Sequence, residues 1–224
     1  MRFRDRTEAG KKLAEALAKY SGQPGVVYPL PRGGMALGVE IAQRLQMPID
    51  LIIPRKVGHP SSPEYGIGAV IESGELVTNQ EEIASVDPAW LKAEIARERG
   101  EARRRRQLYL GDRAPIPIAG KIAILVDDGI ATGLTMEAAI GEARRRAPAR
   151  LIVAIPVAPR ETVDRLAPTV DEVVALDIPE DYLNAVGAYY DRFPQVTDAE
   201  VMALLQRSAA MQAVTSAQGI DSIV

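Results

Sequence analysis

Short β-branched runs alternate with helical patterns along this chain, and this alternation constrains the fold more than any other feature. Apolar residues recur at helical spacing in most of the connecting segments. Five short runs predict strands: VVYPL, IDLII, KIAILV, LIVAIPVA and DEVVAL. Parallel strands need crossover connections, usually through helices. The order of elements therefore predicts an α/β fold with a mainly parallel, twisted sheet and helices on both faces.

Two regions fall outside that alternation. GAVIE and GELVT predict a hairpin, and Asp87-Pro88 begins a long charged helix that ends near Leu110. We expect one domain over residues 1–207, followed by a tail at 208–224 that carries no chemical signal. Within that domain we expect three parts: a core at about 7–176, an inserted helix at about 88–110 and a small C-terminal hood at about 177–207.

The composition excludes several classes of protein. None of the 224 residues is cysteine, which excludes disulfides, thiolate metal sites and cysteine nucleophiles. A formal charge of -3 and an isoelectric point near 5.4 argue against a dedicated nucleic-acid-binding domain, which is usually basic. The first residues lack the apolar core of a secretory signal, and no apolar run approaches membrane-spanning length. The sequence predicts a soluble, cytoplasmic protein without a membrane partner.

Two adjacent acids end the strand KIAILV, in the stretch ILVDDGIATGLT. Asp127 and Asp128 repel each other, and a strand end requires neither of them. Carboxylates accept hydrogen bonds, which suits the vicinal hydroxyls of a sugar or the water shell of a metal ion. The alternative is a strand-to-helix turn in which an aspartate caps the helix, but capping needs only one acid.

The residues after the two acids predict a site for a monophosphate. Gly129 and Gly133 permit unusual backbone angles and the close approach of a ligand. Thr132 and Thr135 supply hydroxyl groups, and the helix predicted to begin near Thr135 presents unpaired amide groups at its positive end. A nucleotide P-loop is excluded because Leu134 stands where its lysine would follow. A diol clamp beside a phosphate cup matches the two ends of a ribose 5-phosphate.

ILVDDGIATGLT resembles the phosphoribosyl pyrophosphate (PRPP) signature of type I phosphoribosyltransferases: an apolar strand, two acids and a small-residue loop that ends in A-T-G-x-T. The resemblance implies the Rossmann-like type I fold of that family, with PRPP as a substrate. It also implies that Asp127 and Asp128 hold the ribose hydroxyls. The 5-phosphate is then expected on the loop that follows: Gly129, Ile130, Ala131, Thr132, Gly133, Leu134 and Thr135. Mg²⁺ is the expected cofactor, held mainly by PRPP and water with no direct protein ligand.

The same resemblance assigns two further segments to the pyrophosphate. PLPRGG follows the first predicted strand, where the family places its pyrophosphate loop, and residues 54–68 stand where the family has a mobile lid. Arginine and lysine bind phosphate oxygens, and glycine lets the backbone approach them. The lid contains the only histidine, His59, for which a surface position without a role is favoured over a role as an acid. Six residues are expected at the pyrophosphate: Pro31, Arg32, Gly33, Gly34, Arg55 and Lys56.

The acceptor is the least constrained part of this prediction. Aromatic residues make up only 4% of the chain, yet EDYLNAVGAYYDRFPQV gathers several of them in the predicted hood. Tyr182, Tyr189 and Tyr190 are candidates for stacking a flat heterocycle. Where hypoxanthine-guanine enzymes carry an acid in the signature, this chain has Ala131, as adenine and orotate enzymes do. The sequence leaves the identity of the base open.

The charged helix is the main competing signal. Arg103 to Arg106 form a basic run of the kind that binds phosphate backbones. Glu94, Glu98 and Glu101 lie upstream at helical spacing, however, and favour ion pairs within the helix. We therefore interpret the helix as a solvated face or a subunit contact, which leaves a homodimer possible, and we expect no nucleic-acid partner.

These residues predict an enzyme, a phosphoribosyltransferase that moves the 5-phosphoribosyl group from PRPP to a nitrogenous base and releases pyrophosphate. Four side chains are expected at the reacting centre: Asp127, Asp128, Arg32 and Lys56. Two alternatives stay open. One is a regulator that binds PRPP or a nucleotide, acts on an RNA or protein partner and has no turnover. The other is a nucleotide-sugar or pentose-phosphate enzyme that uses the same clamp for another leaving group.

Overall fold

A computed structural model describes residues 1–74, 76–183 and 185–220, without the side chains of Glu64 and of residues 213–220. The strands, numbered in chain order, are β1 (Gly25–Pro29), β2 (Arg55–His59), β3 (Ser62–Val70), β4 (Leu76–Thr78), β5 (Ile122–Val126), β6 (Arg150–Val157) and β7 (Glu172–Asp177). The α-helices are α1 (Arg6–Ala16), α2 (Gly34–Leu45), α3 (Gln80–Ile83), α4 (Pro88–Leu110), α5 (Leu134–Arg145), α6 (Arg160–Leu166) and α7 (Asp198–Ile220). Short 3-10 turns lie at Ala18–Tyr20, Ala167–Thr169 and Val186–Tyr189.

The main sheet is parallel throughout, with the strand order β1-β5-β6-β7. This order confirms the predicted α/β class and makes β1 and β5 neighbours, although they are far apart in the sequence. Pro29 at the end of β1 lies opposite Val126 at the end of β5. Loops that leave these two strands therefore start side by side at the carboxyl edge, where ligands bind in sheets of this kind.

Side chains of β5 alternate between two apolar layers, as the period of a strand requires. Ile122, Ile124 and Val126 pack in the layer that contains α1 and α2. Ala123 and Leu125 pack in the opposite layer, which contains α5 and α6. The sheet is thus covered by helices on both faces, as predicted, and the residues that follow β5 emerge from a rigid, fully buried strand.

The run IDLII does not form the predicted strand. Only Ile49 bridges to β1, at Val27, and the rest of the run is buried without a ladder. The ladder stops because its next hydrogen bond would need the amide of residue 29 on β1, and that residue is proline, which has no N–H.

Residues 54–68 were predicted as a mobile lid, and this prediction is wrong in its local structure. The segment forms β2 and most of β3, which pair antiparallel and join β4 in a separate three-stranded sheet. Its glycine content reflects close backbone packing: a Cβ on Gly58 would lie 2.3 Å from the carbonyl oxygen of Pro63, next to a shift in the strand register. The predicted pairing of GAVIE with GELVT is confirmed as the β3–β4 pair.

The two longest helices, α4 and α7, have 23 residues each. α4 spans the predicted charged helix. α7 runs without a break across the predicted boundary at 207/208, and Ser208 on it is buried, so the boundaries of the predicted domain stay a prediction. Within the described ranges, no helix is both long and apolar enough to cross a membrane.

Candidate active site

The loops that follow β1 and β5 pack directly against each other. The amide of Leu30 donates to the carbonyl of Val126 at 2.8 Å, and the Pro31–Arg32 peptide bond is cis. Glycine is required at this contact: a Cβ on Gly33 would lie 2.1 Å from Asp128 Oδ2, and one on Gly34 would lie 2.5 Å from the carbonyl oxygen of Val126. The two loops that the sequence singled out therefore form one site.

The carboxylates of Asp127 and Asp128 are only partly exposed at the centre of this site. The Asp128 amide donates to Asp127 Oδ1 at 2.8 Å. Burial, reinforced by the neighbouring negative charge of Asp128, raises the pKa of Asp127 well above its usual range. Burial also raises the pKa of Asp128, although an arginine opposes it. Two negative charges are unfavourable here, and a ligand that donates hydrogen bonds or carries a cation relieves that cost.

The arginine beside Asp128 is Arg6, which sequence reasoning missed. Arg6 Nε donates to Asp128 Oδ2 at 2.7 Å, and Nη1 donates to the Pro194 carbonyl at 2.7 Å. Its guanidinium carbon lies 3.7 Å from the centroid of the Phe193 ring, within the range of a cation–π contact. The pair is largely buried, with side-chain exposures of 11% for Arg6 and 14% for Asp128. Because 122 positions separate the partners, no local pattern could have indicated this ion pair.

The predicted phosphate loop is shaped by two glycines with positive φ angles. Gly129 has φ of 150° and Gly133 has φ of 83°. A Cβ on Gly129 would lie 2.5 Å from Val186 Cγ1 in the hood. α5 begins at Leu134, one residue before the predicted start, and no side chain caps its first amides. Uncapped amides at the positive end of a helix form an anion-binding site.

The outer side of this loop is held by α6, a second feature that sequence reasoning missed. Thr162 Oγ1 donates to the Ala131 carbonyl at 2.8 Å, and Arg165 donates to the Thr132 carbonyl. Arg165 Nε also donates to Glu137 Oε1 at 2.8 Å. These bonds restrict the peptide units of the loop. A cleft of about 520 Å³ on this side is lined by Thr132, Leu134, Arg165 and residues of β3 and β4.

A second cleft, of about 570 Å³, opens beside Asp128 and is called the arginine cleft below. It contains four of the predicted pyrophosphate residues. Among the described residues, Lys56 and Gly34 are not part of its lining. Successive residues of a strand face opposite sides, so Lys56 does not follow Arg55 into the cleft, and its role stays a prediction. The lining consists of Arg6, Pro31, Arg32, Gly33, Arg55, Arg105, Asp128, Val186, Phe193, Gln195 and Val196.

The three candidate tyrosines of the base pocket have different environments. Tyr189 and Tyr190 are buried in the core, and the Tyr190 hydroxyl donates to the Asp128 carbonyl at 2.6 Å. Tyr182 stacks on Tyr189 with 5.4 Å between ring centroids. Among the described residues, the buried hydroxyl of Tyr182 has no hydrogen-bond partner. Base binding by all three stays a prediction. Tyr182 is the best candidate, because Tyr189 and Tyr190 are buried in the core.

The charged helix forms the ion pairs that its sequence predicts. Arg97 pairs with Glu94 at 2.6 Å, and Arg104 pairs with Glu101 at 2.7 Å. The interpretation as a solvated face describes only the outer side of α4, however. Glu98 is buried on its inner side and accepts from Arg55 Nε at 2.7 Å, which ties the helix to β2.

His59 lies at the tip of the β2–β3 hairpin, away from the arginine cleft. Its Nδ1 is 2.7 Å from the hydroxyl of the neighbouring Ser61. It is absent from the lining of the cleft as the described part of the chain defines it. The structure gives no support to a role as an acid.

Comparison with known proteins decides the family. A model described as "Phosphoribosyl transferase domain" matches residues 5–192, which cover both loops, most of the arginine cleft and much of the hood. This chain belongs to the phosphoribosyl transferase family. The predicted resemblance is thereby confirmed.

Two kinds of relative add to the family assignment. The chain is 41% identical over 208 residues to "Putative phosphoribosyl transferase Rv0571c" of Mycobacterium tuberculosis, covering 92% of this chain and 47% of that protein. It therefore spans about half the length of the curated relatives it matches. The crystal structure of TT1426 from Thermus thermophilus is 46% identical, with a TM-score of 0.76, and covers 92% of this chain and 99% of that one.

Asp127→Asn is expected to stabilise the ligand-free protein near neutral pH. The pKa of Asp127 is raised in the folded state, so the stability that this group contributes is fully present below the usual aspartate value of 3.8 and is lost as the pH rises through the raised pKa. Asparagine cannot ionise and avoids that loss. Each kcal/mol gained raises the melting temperature by about 2–4 °C in a protein of this size.

Melting curves with EDTA, from neutral pH in steps toward acid, check this expectation. The gain in melting temperature is expected to shrink as the pH falls, while the exposed control Asp112→Asn shows no such trend. An Asp127→Asn protein that melts below wild type at neutral pH contradicts it.

Proposed function

We propose that this member of the family transfers the 5-phosphoribosyl group from PRPP to a nitrogen of a heterocyclic base. The observation that carries the proposal is the position of the Asp127–Asp128 pair, which lies between an uncapped helix terminus and the arginine cleft. A diol, a monophosphate and a pyrophosphate are the three groups of PRPP. The site offers carboxylate acceptors for the diol, amide donors for the monophosphate and guanidinium groups for the pyrophosphate.

Each group of the substrate has a complementary part of the site. Asp127 and Asp128 accept hydrogen bonds from the ribose hydroxyls, and residues 129–135 bind the 5-phosphate through backbone amides and threonine hydroxyls. Arg32 and Arg55 in the arginine cleft bind the pyrophosphate, and Lys56 is retained as a proposed contributor. Holding both ends of the ribose positions its anomeric carbon between the leaving group and the base.

The reaction then needs no protein nucleophile. The bond between the anomeric carbon and the pyrophosphate oxygen breaks, and pyrophosphate leaves with the electron pair. A ring nitrogen of the base forms the new bond to that carbon and gives up its proton to solvent. Positive charge develops on the ribose in the transition state, and the proposed contact of Asp127 and Asp128 with the ribose hydroxyls brings negative charge close enough to stabilise it.

The two carboxylates fit the predicted Mg²⁺. Among the described residues there is no cluster of three or more acidic or histidine side chains that would hold a metal ion alone. Two crowded carboxylates with raised pKa values are instead suited to the water shell of an ion that pyrophosphate brings with it. When bound, Mg²⁺ would supply positive charge to the leaving pyrophosphate, and Asp127 and Asp128 would hold it through water.

The base is proposed to lie under the hood, near Tyr182. Among the described residues the buried hydroxyl of Tyr182 has no partner, so it offers a hydrogen bond to a ligand, and the Tyr182 ring stacks on Tyr189. Tyr190 is proposed to position Asp128, because its hydroxyl donates a hydrogen bond to the Asp128 carbonyl. Ala131 gives the base no acidic partner in the signature.

A screen for pyrophosphate release tests the proposed function. Purified protein, PRPP and Mg²⁺ are combined with a panel of purines, pyrimidines and small heterocycles, and released pyrophosphate and the ribosylated base are both measured. Base-dependent release supports the transferase. If no base gives release while PRPP binds, the protein is instead a regulator that senses PRPP, and salt-dependent RNA binding would point to its partner.

A further inference from the structure

The inner face of α4 is polar although it is buried. Glu98, Ala102, Arg105 and Tyr109 are its buried residues and recur at the spacing of one helix face. A helix face that serves only to pack is normally apolar. Ion pairs that are taken out of water seldom stabilise a fold more than well-packed apolar residues do. The charges on this face therefore indicate a role beyond holding α4 in place.

Arg105 extends from this face into the arginine cleft. Its side chain is 9% exposed, and it lies in the wall with Arg6, Arg32 and Arg55. Within the described ranges Arg105 donates a single side-chain hydrogen bond to protein, from Nε to Glu101 Oε1 at 2.7 Å. Its two Nη groups are therefore left for a ligand in the cleft.

Arg55 is held in the same way as Arg105. Arg55 Nε donates to Glu98 at 2.7 Å, and Arg105 Nε donates to Glu101 at 2.7 Å. Both acids are on α4, about one helical turn apart, and Glu98 is buried. An arginine that is fixed through Nε keeps the two-pronged end of its guanidinium for a second partner. The helix thus orients two such ends toward one cleft.

The guanidinium donors of the cleft suit an anionic ligand with several oxygens. Among the described residues, four arginines and one acid, Asp128, line the cleft. The Asp128 carboxylate is already paired with Arg6 at 2.7 Å. Arg32 Nη1 lies 3.6 Å from Asp198 Oδ1, so among the described residues the Nη ends of Arg55 and Arg105 are the ones left for a ligand. Two bidentate contacts need more terminal oxygens than a phosphate monoester has, while the pyrophosphate group of PRPP has enough.

We propose that Arg105 is a binding residue for the pyrophosphate group of PRPP, so that α4 forms one wall of the substrate site. This proposal rests on the proposed function and goes beyond it, because it assigns a substrate contact to the inserted helix. Ligand oxygens bind the Nη groups of Arg105 while Glu101 keeps its hold on Nε. The ribose 5-phosphate end of the substrate makes no contact with Arg105.

Binding of inorganic pyrophosphate and of ribose 5-phosphate, each measured calorimetrically with Mg²⁺, tests this proposal. Arg105→Gln removes the guanidinium, and Arg103→Gln makes the same change of charge at an exposed position on the same helix. A hydrogen bond to a charged group is worth about 1.5–3 kcal/mol, which corresponds to a loss of at least about tenfold in affinity. Arg105→Gln is expected to lose pyrophosphate affinity by that factor and to bind ribose 5-phosphate within about twofold of wild type. Arg103→Gln is expected to bind both like wild type.

Three outcomes overturn the proposal. The first is wild-type pyrophosphate affinity in Arg105→Gln, and the second is an equal loss in Arg103→Gln, which would show a general effect of charge. The third is a wild-type protein that binds neither probe, which overturns the proposed function as well. If Arg105→Gln melts too low to be measured, Arg105→Lys replaces it. This variant keeps the charge without the fork, and its pyrophosphate affinity is expected to fall several-fold, so a wild-type value again overturns the proposal.

Discussion

Replacing Asp127 and Asp128 together with asparagine is expected to lower the rate of pyrophosphate release by at least about a thousandfold, while the protein stays folded. A single preorganised electrostatic contact to a transition state is typically worth about a hundredfold to a thousandfold in turnover. Here two carboxylates are lost, and both are proposed to face the ribose on which positive charge develops. The rate is measured with PRPP at saturation, using a base identified by the screen.

The structure also predicts why the double variant folds. Asp127→Asn removes a buried charge whose pKa is raised by burial, which favours the folded state. Asp128→Asn leaves Arg6 without its carboxylate, which disfavours it. The two effects oppose each other, so the melting temperature is expected to change little. Asp112→Asn serves as the control, because it makes the same change at an exposed loop residue. Unchanged turnover in the double variant would remove these acids from the reaction.

Arg6→Met is expected to destabilise the protein by about 3 kcal/mol or more. Removing one partner of a buried ion pair leaves the other charge uncompensated and typically costs about 3–5 kcal/mol. The variant also loses the hydrogen bond to Pro194 and the contact with the Phe193 ring. Denaturant unfolding of Arg6→Met and of Arg4→Met measures the difference, since Arg4 is a near neighbour with a side chain that is 65% exposed.

A double-mutant cycle shows whether the cost comes from the pair. In the Asp128→Asn background the negative charge is absent, so Arg6→Met is expected to cost clearly less than it does in the wild-type background. Equal costs in both backgrounds would show that Arg6 stabilises the protein through packing alone. An Arg6→Met protein as stable as Arg4→Met would show that the pair contributes nothing measurable.

Local patterns were sufficient for most of the main sheet. β5 was predicted because a short β-branched run precedes the two acids, and its residues alternate between two apolar layers as a strand requires. The segment 54–68 was mispredicted because glycine, proline and serine are typical of loops. Its composition instead reflects an irregular antiparallel pair with close contacts at Gly58. The run IDLII has strand composition, yet Pro29 on β1 has no N–H with which to continue the ladder beyond Ile49.

In the site, too, local patterns predicted some features and missed others. ILVDDGIATGLT could be interpreted from the sequence because its acids, glycines and threonines are contiguous, so local backbone geometry alone sets their relative positions. The ion pairs of α4 were predicted for the same reason, since their partners are close neighbours on one helix. Helical spacing does not tell which face of α4 is buried. That depends on how the helix packs on β2, which Glu98 and Arg55 connect.

By itself the sequence determined the four strands of the main parallel sheet and the string of residues suited to a ribose 5-phosphate. Both depend on neighbours along the chain. Only the tertiary structure decided that Arg6 compensates Asp128, that α6 restrains the phosphate loop and that Arg105 joins Arg32 and Arg55 in one cleft. Charges attract over a few ångströms of space whatever their separation in sequence, so packing alone determines which of them meet.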